Sequence, residues 1–139
     1  MSTSDTLTPA IPTEDGKAWL NRYQYNKVPG GVDAIAVGTG TGDRDPTLSS
    51  LRNEVHRETI TTGGSAQVIE DSGDPTIQYA RIELGGGLEL DAGQEITEAG
   101  VISTATDPDT LVWLYIPPAS VPFPSGERNE IVIPTSLVD

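Results

Sequence analysis

Residues 32–57, VDAIAVGTGTGDRDPTLSSLRNEVHR, constrain the fold of this chain more than any other stretch. An apolar strand over residues 32–37 runs into three alternating glycines, Gly38, Gly40 and Gly42, and then into an acidic turn, Asp43-Arg44-Asp45-Pro46. Proline suits the first helical position and Asp45 can cap the free amides there, so Pro46 and Thr47 are expected to open one helical turn through Leu48 and Leu51. From Asn53 the pattern is extended again. Strand, glycine loop, single turn and second strand thus follow one another, anchored by Leu48, Leu51 and Val55.

These glycines do not make a phosphate cradle. A P-loop needs a glycine-rich turn ending in Gly-Lys-Ser/Thr, and no such lysine is present. In the dinucleotide fingerprint Gly38 and Gly40 fit the first two positions, but Asp43 takes the third and sets a negative charge where pyrophosphate would lie. The expectation is a glycine-softened loop between a buried strand and a short helix.

A chain of 139 residues is one domain by size, large enough to bury about two-thirds of its unfolded surface. The charge says more. Twenty-one acidic residues face two lysines, Lys17 and Lys27, and six arginines, for a net charge of −13. Nucleic acid is excluded as a partner, because phosphate binding needs a basic surface. Self-repulsion of this size is screened at high ionic strength, so acidic excess with scarce lysine suits a salt-rich setting and a halophilic origin. With no cysteine, neither disulfides nor thiolate catalysis enter. The polar, acidic start lacks the features of a signal peptide, and the longest apolar run, residues 111–118, is far short of the ~20 residues of a membrane span. A soluble protein with no membrane insertion is expected.

Along the chain, residues 1–30 read as an N-terminal arm with one short helix and residues 31–139 as a β-sandwich domain of about seven short strands. Thr13 can cap the helix, Glu14 and Asp15 lie in its first turn, and Trp19, Leu20 and Tyr23 form one apolar face at helical spacing. Pro29-Gly30-Gly31 stops it. That face serves core packing or, belonging to the arm, docks on a neighbouring subunit. Gly63-Gly64 between extended runs 58–62 and 65–69 signals a hairpin. Residues 76–84 form a strand with Ala80, Ile82 and Leu84 on one face. Residues 95–104 are extended, 111–116 are apolar on both faces and central, Pro117, Pro118, Pro122 and Pro124 impose a loop without ladder donors, and residues 129–134 supply the last strand.

No constellation points to catalysis, a metal or a cofactor. His56 is the only histidine and no serine sits in a Gly-x-Ser-x-Gly elbow. The pairs Asp43/Asp45, Asp71/Asp74 and Asp107/Asp109 fit Asx turns, and none has the spacing of a calcium loop. Glu98 stands apart. In the run Ile96-Thr97-Glu98-Ala99-Gly100-Val101-Ile102, alternation sets Glu98 on the face of Ile96 and Ile102, and a buried carboxylate requires a partner. Arg57 is the expected ion-pair partner and Arg81 the reserve.

The order of these segments resembles a domain of the fibre and baseplate proteins of tailed viruses, of the tail-collar fibre type, whose pattern is "GxG…TxLxNExxR…IxEaGlf" followed by a hydrophobic strand, a proline-containing loop and a final strand. Leu51, Asn53, Glu54 and Arg57 carry the first motif here, and Ile96, Glu98, Ala99 and Gly100 the second. The match spans roughly residues 32–134, without the lysine often seen in the proline loop and with residues 103–107 in place of an aromatic and glycine turn. The resemblance implies a virion structural protein of a tail, baseplate or fibre attachment, non-enzymatic, without cofactors, acting by contacts with other virion proteins and with a host surface receptor as a further partner. The acidic composition fits a virus of halophilic archaea. A trimer or hexamer is the expected homo-oligomer. The rivals are a glycan- or receptor-binding β-sandwich with a groove lined by Trp113, Tyr115 or Phe123, Phe123 being the freest, and a capsid decoration or turret protein.

Overall fold

The computed structural model describes residues 10–25, 31–71 and 74–135, and the side chains among them outside 70–78. The Ser/Thr/Pro arm before residue 10, the Pro29-Gly30 stop, Lys27 and the Asp71/Asp74 side chains fall outside that description.

The first described elements are a two-residue strand β1 (Ile11–Pro12) and a helix α1 (Glu14–Tyr23). Thr13 caps the helix as its sequence position requires: its backbone is extended and its Oγ1 accepts the Gly16 amide at 2.8 Å. The same hydroxyl donates to the Leu111 carbonyl, and the Thr13 amide donates to the Val112 carbonyl at 3.1 Å. The cap therefore starts the helix and also ties it to the body.

Nine further strands follow: β2 (Ala34–Gly38), β3 (Glu54–Thr59), β4 (Ala66–Asp71), β5 (Asp74–Gly85), β6 (Gln94–Ile96), β7 (Glu98–Ser103), β8 (Thr110–Tyr115), β9 (Val121–Phe123) and β10 (Arg128–Pro134). They build a five-stranded sheet in the order β1-β8-β7-β2-β3, a three-stranded sheet β10-β5-β4 and a pair β6-β9, each pairing antiparallel. The chain is mainly β and sandwich-like, as its many short extended runs imply.

The main core lies between the sheets. Ile35, Val37, Val101 and Val112 face Ala80, Ile82, Leu84, Ile131 and Ile133, with Ile96 and Phe123 of the β6-β9 pair completing the layer. A second apolar cluster covers the other face of the large sheet, where Leu51 and Leu48 pack on Ala34, Ala36, Ile102, Leu111 and Leu114. Coverage on both faces explains why every residue of β2 is buried and why its sequence shows no polar alternation.

Several expectations meet a different outcome. Residues 46–47 form a turn and 49–50 a bend in place of a helical turn, the turn closed by the Leu48 amide on the Asp45 carbonyl at 3.2 Å. Leu51 is buried as an anchor, whereas Val55 is 37% exposed on the edge strand β3. Gly63-Gly64 does not close a hairpin. β3 pairs with β2 and β4 with β5, so the turn hands the chain from one sheet to the other. Two glycines encode only the reversal, with Gly63 at φ +74°; the partner is chosen by burial, which sets Ala66 opposite Ile82. The extended run at 95–104 breaks at Thr97 and changes sheets there. In the proline loop Pro122 stands opposite Glu95 in a short two-stranded ladder, and Phe123, expected to be the freest aromatic, is fully buried.

The division at residue 30 does not separate an arm from a body over residues 10–25. β1 is an edge strand of the large sheet, opposite Leu114 and Trp113, and α1 packs on β8. Gly16 lies so close to β8 that an added Cβ would come within 2.1 Å of the Val112 carbonyl oxygen. Gly16→Ala is therefore a signed test. Helix propensity alone would stabilise this variant by about 1 kcal/mol. Overpacking should instead cost about 1–3 kcal/mol, read as a lower thermal midpoint; an unchanged or higher midpoint would show that α1 is not seated on β8.

Candidate functional site

The site of greatest chemical interest is built around Glu98, the first residue of β7. β7 is buried along its whole length, and the Glu98 side chain is fully buried. Its carboxylate accepts three backbone amides. Oε2 takes the Gly40 amide at 3.0 Å and the Asn53 amide at 2.7 Å, and Oε1 takes the Arg52 amide at 2.8 Å. Hydrogen bonds to an ionised acceptor are about twice as strong as neutral ones, so this set offsets the desolvation of the charge without a cation.

Arg57, the expected partner, does not meet Glu98. It forms a two-point pair with Glu54, both contacts at 2.9 Å, and a third contact with Asp109 at 2.7 Å. The Glu54 and Asp109 carboxylates, near the surface, hold the Arg57 guanidinium above its usual pKa. Arg81, the reserve, pairs with Glu130 and Glu83 on the outer face of the small sheet. Glu98 is buried, but Ile96 and Ile102, expected on its face, fall in different apolar clusters because the run breaks at Thr97, and alternation of side chains gives no sign of backbone donors.

Two of the three alternating glycines are explained by this carboxylate. A Cβ on Gly38 would come 2.4 Å from Glu98 Oε2, and one on Gly40 would meet the Arg52 Cβ at 2.3 Å. Both positions need the bare backbone so that the loop can close over the acid. Thr97 completes the seam. Its amide donates to the Gly38 carbonyl at 3.0 Å and its hydroxyl to the Gly40 carbonyl at 2.6 Å. Across the loop the Thr39 amide donates to the Asn53 carbonyl at 3.0 Å, and the Asn53 side chain donates to the Thr39 hydroxyl at 2.6 Å. Segments around residues 38–40, 52–53 and 97–98 therefore converge on one buried charge.

The apolar face of α1 is directed at this chain's own sheets. Trp19 is 3% exposed and stacks on Tyr23 with ring centroids 5.0 Å apart, while Leu20 packs half-buried against the core. Tyr23 alone remains largely accessible, at 48%. Of the three expected docking residues, Trp19 and Leu20 are thus committed to the body. Beside them runs a groove of about 400 Å³, with Tyr23, Val32, Val68, Ala80 and Trp113 among its walls. A second, polar cleft of about 660 Å³ lies between α1 and the turns near Ser49 and Asp109. Trp19 borders both, and its Nε1 has no acceptor among the described residues.

The remaining polar candidates are local. The Asp45 Oδ1 accepts the Thr47 amide at 2.9 Å and the Thr47 hydroxyl at 2.6 Å, which holds this exposed carboxyl below its usual range; this is the turn expected from its sequence. Asp109 is bound by Arg57. His56 contacts Glu58 at 2.5 Å on the edge strand. Among the described residues no group of three or more His, Cys, Asp or Glu side chains is placed to hold a metal ion. Comparison with protein-family models, curated proteins and solved structures returned no match.

Glu98→Gln keeps the shape of the side chain but turns an NH2 toward backbone N–H donors. Equilibrium unfolding in urea should show a loss of about 2–3 kcal/mol, the cost of leaving a buried donor unsatisfied. A variant as stable as the wild type would mean that the carboxylate does not hold the loop.

Proposed function

We propose that this chain is a structural component of a tailed-virus virion, a part of the tail, baseplate or fibre attachment that acts by protein contacts and carries no catalysis. The observation that supports the reading is the convergence at Glu98. The glycine pair, Asn53 of the first motif and Glu98 of the second lie far apart in the chain, the Gly40–Glu98 bond alone spanning 58 residues. In space they form one clamp. Short motifs that meet in this way behave as one structural unit, as a domain signature should.

The acidic surface fits a virus of halophilic archaea, and the assembled form is a trimer or hexamer. The glycan-binding alternative draws less support from the geometry, since Trp113 is 6% exposed and Phe123 is fully buried. A decoration or turret protein belongs to the same structural class and is separated from a tail part by its place in the particle. No helix among the described residues is long and apolar enough to cross a membrane.

Light scattering after size exclusion tests the reading. In about 1 M salt, where the Debye length falls to about 3 Å, repulsion between copies carrying −13 charges is screened. A closed trimer or hexamer is expected there, with weaker association in dilute buffer. A monomer in both buffers would contradict the proposal.

A further inference from the structure

We propose that the Arg52 side chain is a strap, a second fastening of the glycine loop that is separate from the Glu98 clamp and releases while the clamp stays shut. The backbone amide of Arg52 belongs to the clamp, on Glu98 Oε1. Its side chain runs the other way, back along the loop. A Cβ on Gly40 would meet the Arg52 Cβ at 2.3 Å, and one on Gly42 would lie 2.6 Å from the guanidinium carbon and 2.8 Å from Nε and Nη2. The far end of the arginine is tied down, with Nη2 donating to the Asp43 carbonyl at 2.8 Å.

This contact accounts for the third of the alternating glycines. Gly42 stands at φ +147°, a conformation that residues with a side chain rarely adopt, and it lies directly against the guanidinium. Where Gly38 and Gly40 let the loop reach the carboxylate, Gly42 lets it fold over the arginine.

The strap is the weaker of the two fastenings. Glu98 is fully buried and accepts three amides. The Arg52 guanidinium has the Asp43 carbonyl at one nitrogen, and its Nη1 is buried without an acceptor among the described residues. A buried donor left unpaired costs its desolvation, which offsets part of what the Asp43 bond contributes. Past the strap, residues 41–44 and 46–47 are exposed. The segment meets the body again where the Pro46 carbonyl accepts the Glu14 amide at 2.7 Å and where Leu48 packs half-buried on the second apolar cluster. Release of the strap therefore frees a lid, residues 41–48. Its lifting withdraws Leu48 from the outer face of the large sheet, while Gly40, Arg52 and Asn53 stay bound to Glu98.

Arg52→Ala tests the strap, because alanine keeps the clamp amide and the Cβ and removes the rest. Backbone order parameters read the lid directly. In the wild type Gly42 and Asp43 are expected near the rigid value of about 0.85, and in Arg52→Ala below about 0.6, with Gly40 and Asn53 unchanged. The Leu48 amide, bonded to the Asp45 carbonyl, should exchange faster, while the Gly40 and Asn53 amides keep their protection. Should Arg52→Ala fail to fold by circular dichroism, Arg52→Lys, which keeps the charge and loses the fork, carries the same reading. Gly42→Ala approaches from the other side. It should lower the thermal midpoint less in the Arg52→Ala background than in the wild type, because its methyl then has no guanidinium to strike. Equal losses in the two backgrounds would overturn the strap. So would a wild type in which Gly42 and Asp43 are already at flexible values, a variant whose loop stays rigid, or a loss of order that spreads to Gly40 and Asn53.

Discussion

A fully buried carboxylate bound by three backbone amides is the interaction on which the rest of this structure depends. Glu98 stands at the start of β7, the strand between β2 and β8 in the large sheet. Its acceptors reach two segments of the long connection from β2 to β3. Without a carboxylate, three part-buried amides would lose their acceptor; without the glycines, the loop could not approach the acid. Charge, loop and strand are therefore mutually dependent. The loop carries Leu48 and Leu51, which cover the outer face of the same sheet, so the clamp also seals the second apolar cluster.

The helix is held differently. The helix α1 is held by its own cap on the backbone of β8 and by the absence of a side chain at Gly16. Its aromatic face then covers part of the space between the two sheets and leaves the groove at Tyr23 and Val68. The Glu14 amide also donates to the Pro46 carbonyl at 2.7 Å, so the connection that Glu98 holds touches the helix as well.

Part of this was legible in the sequence where a side chain reports its own surroundings. The Thr13 cap and the apolar strand β8 follow from residue type and period, whereas the face of Trp19, Leu20 and Tyr23 was readable as one face without telling core from docking, and Glu98 is buried in a strand that is buried along its whole length. What was not legible concerned partners. Glu98 was matched to Arg57 because sequence shows charged side chains and hides amides. The alternating Gly38 and Gly40 were the available signal, since a bare backbone next to a buried acid marks a close approach. The Gly63-Gly64 turn was visible, but its two flanking strands enter different sheets, a choice made by long-range burial. Phe123 was placed on the surface because prolines surround it; Pro122 in fact tolerates a short edge ladder that carries Phe123 into the core.

Seen from the clamp, the proposed virion role and the acidic surface address different levels of the same molecule. The clamp fixes the fold from within by bonds to a fully buried carboxylate, while the net charge of −13 belongs to the exposed side chains. The central claim is that Glu98 makes the glycine loop part of the core. Native-state hydrogen exchange of the wild-type protein tests it most directly. The amides of Gly40, Arg52 and Asn53 should exchange only with global unfolding, at the rates of the β2 and β7 amides. Exchange of these three amides at the rates of exposed turn residues such as Gly63 and Gly64, while the strands stay protected, would contradict it.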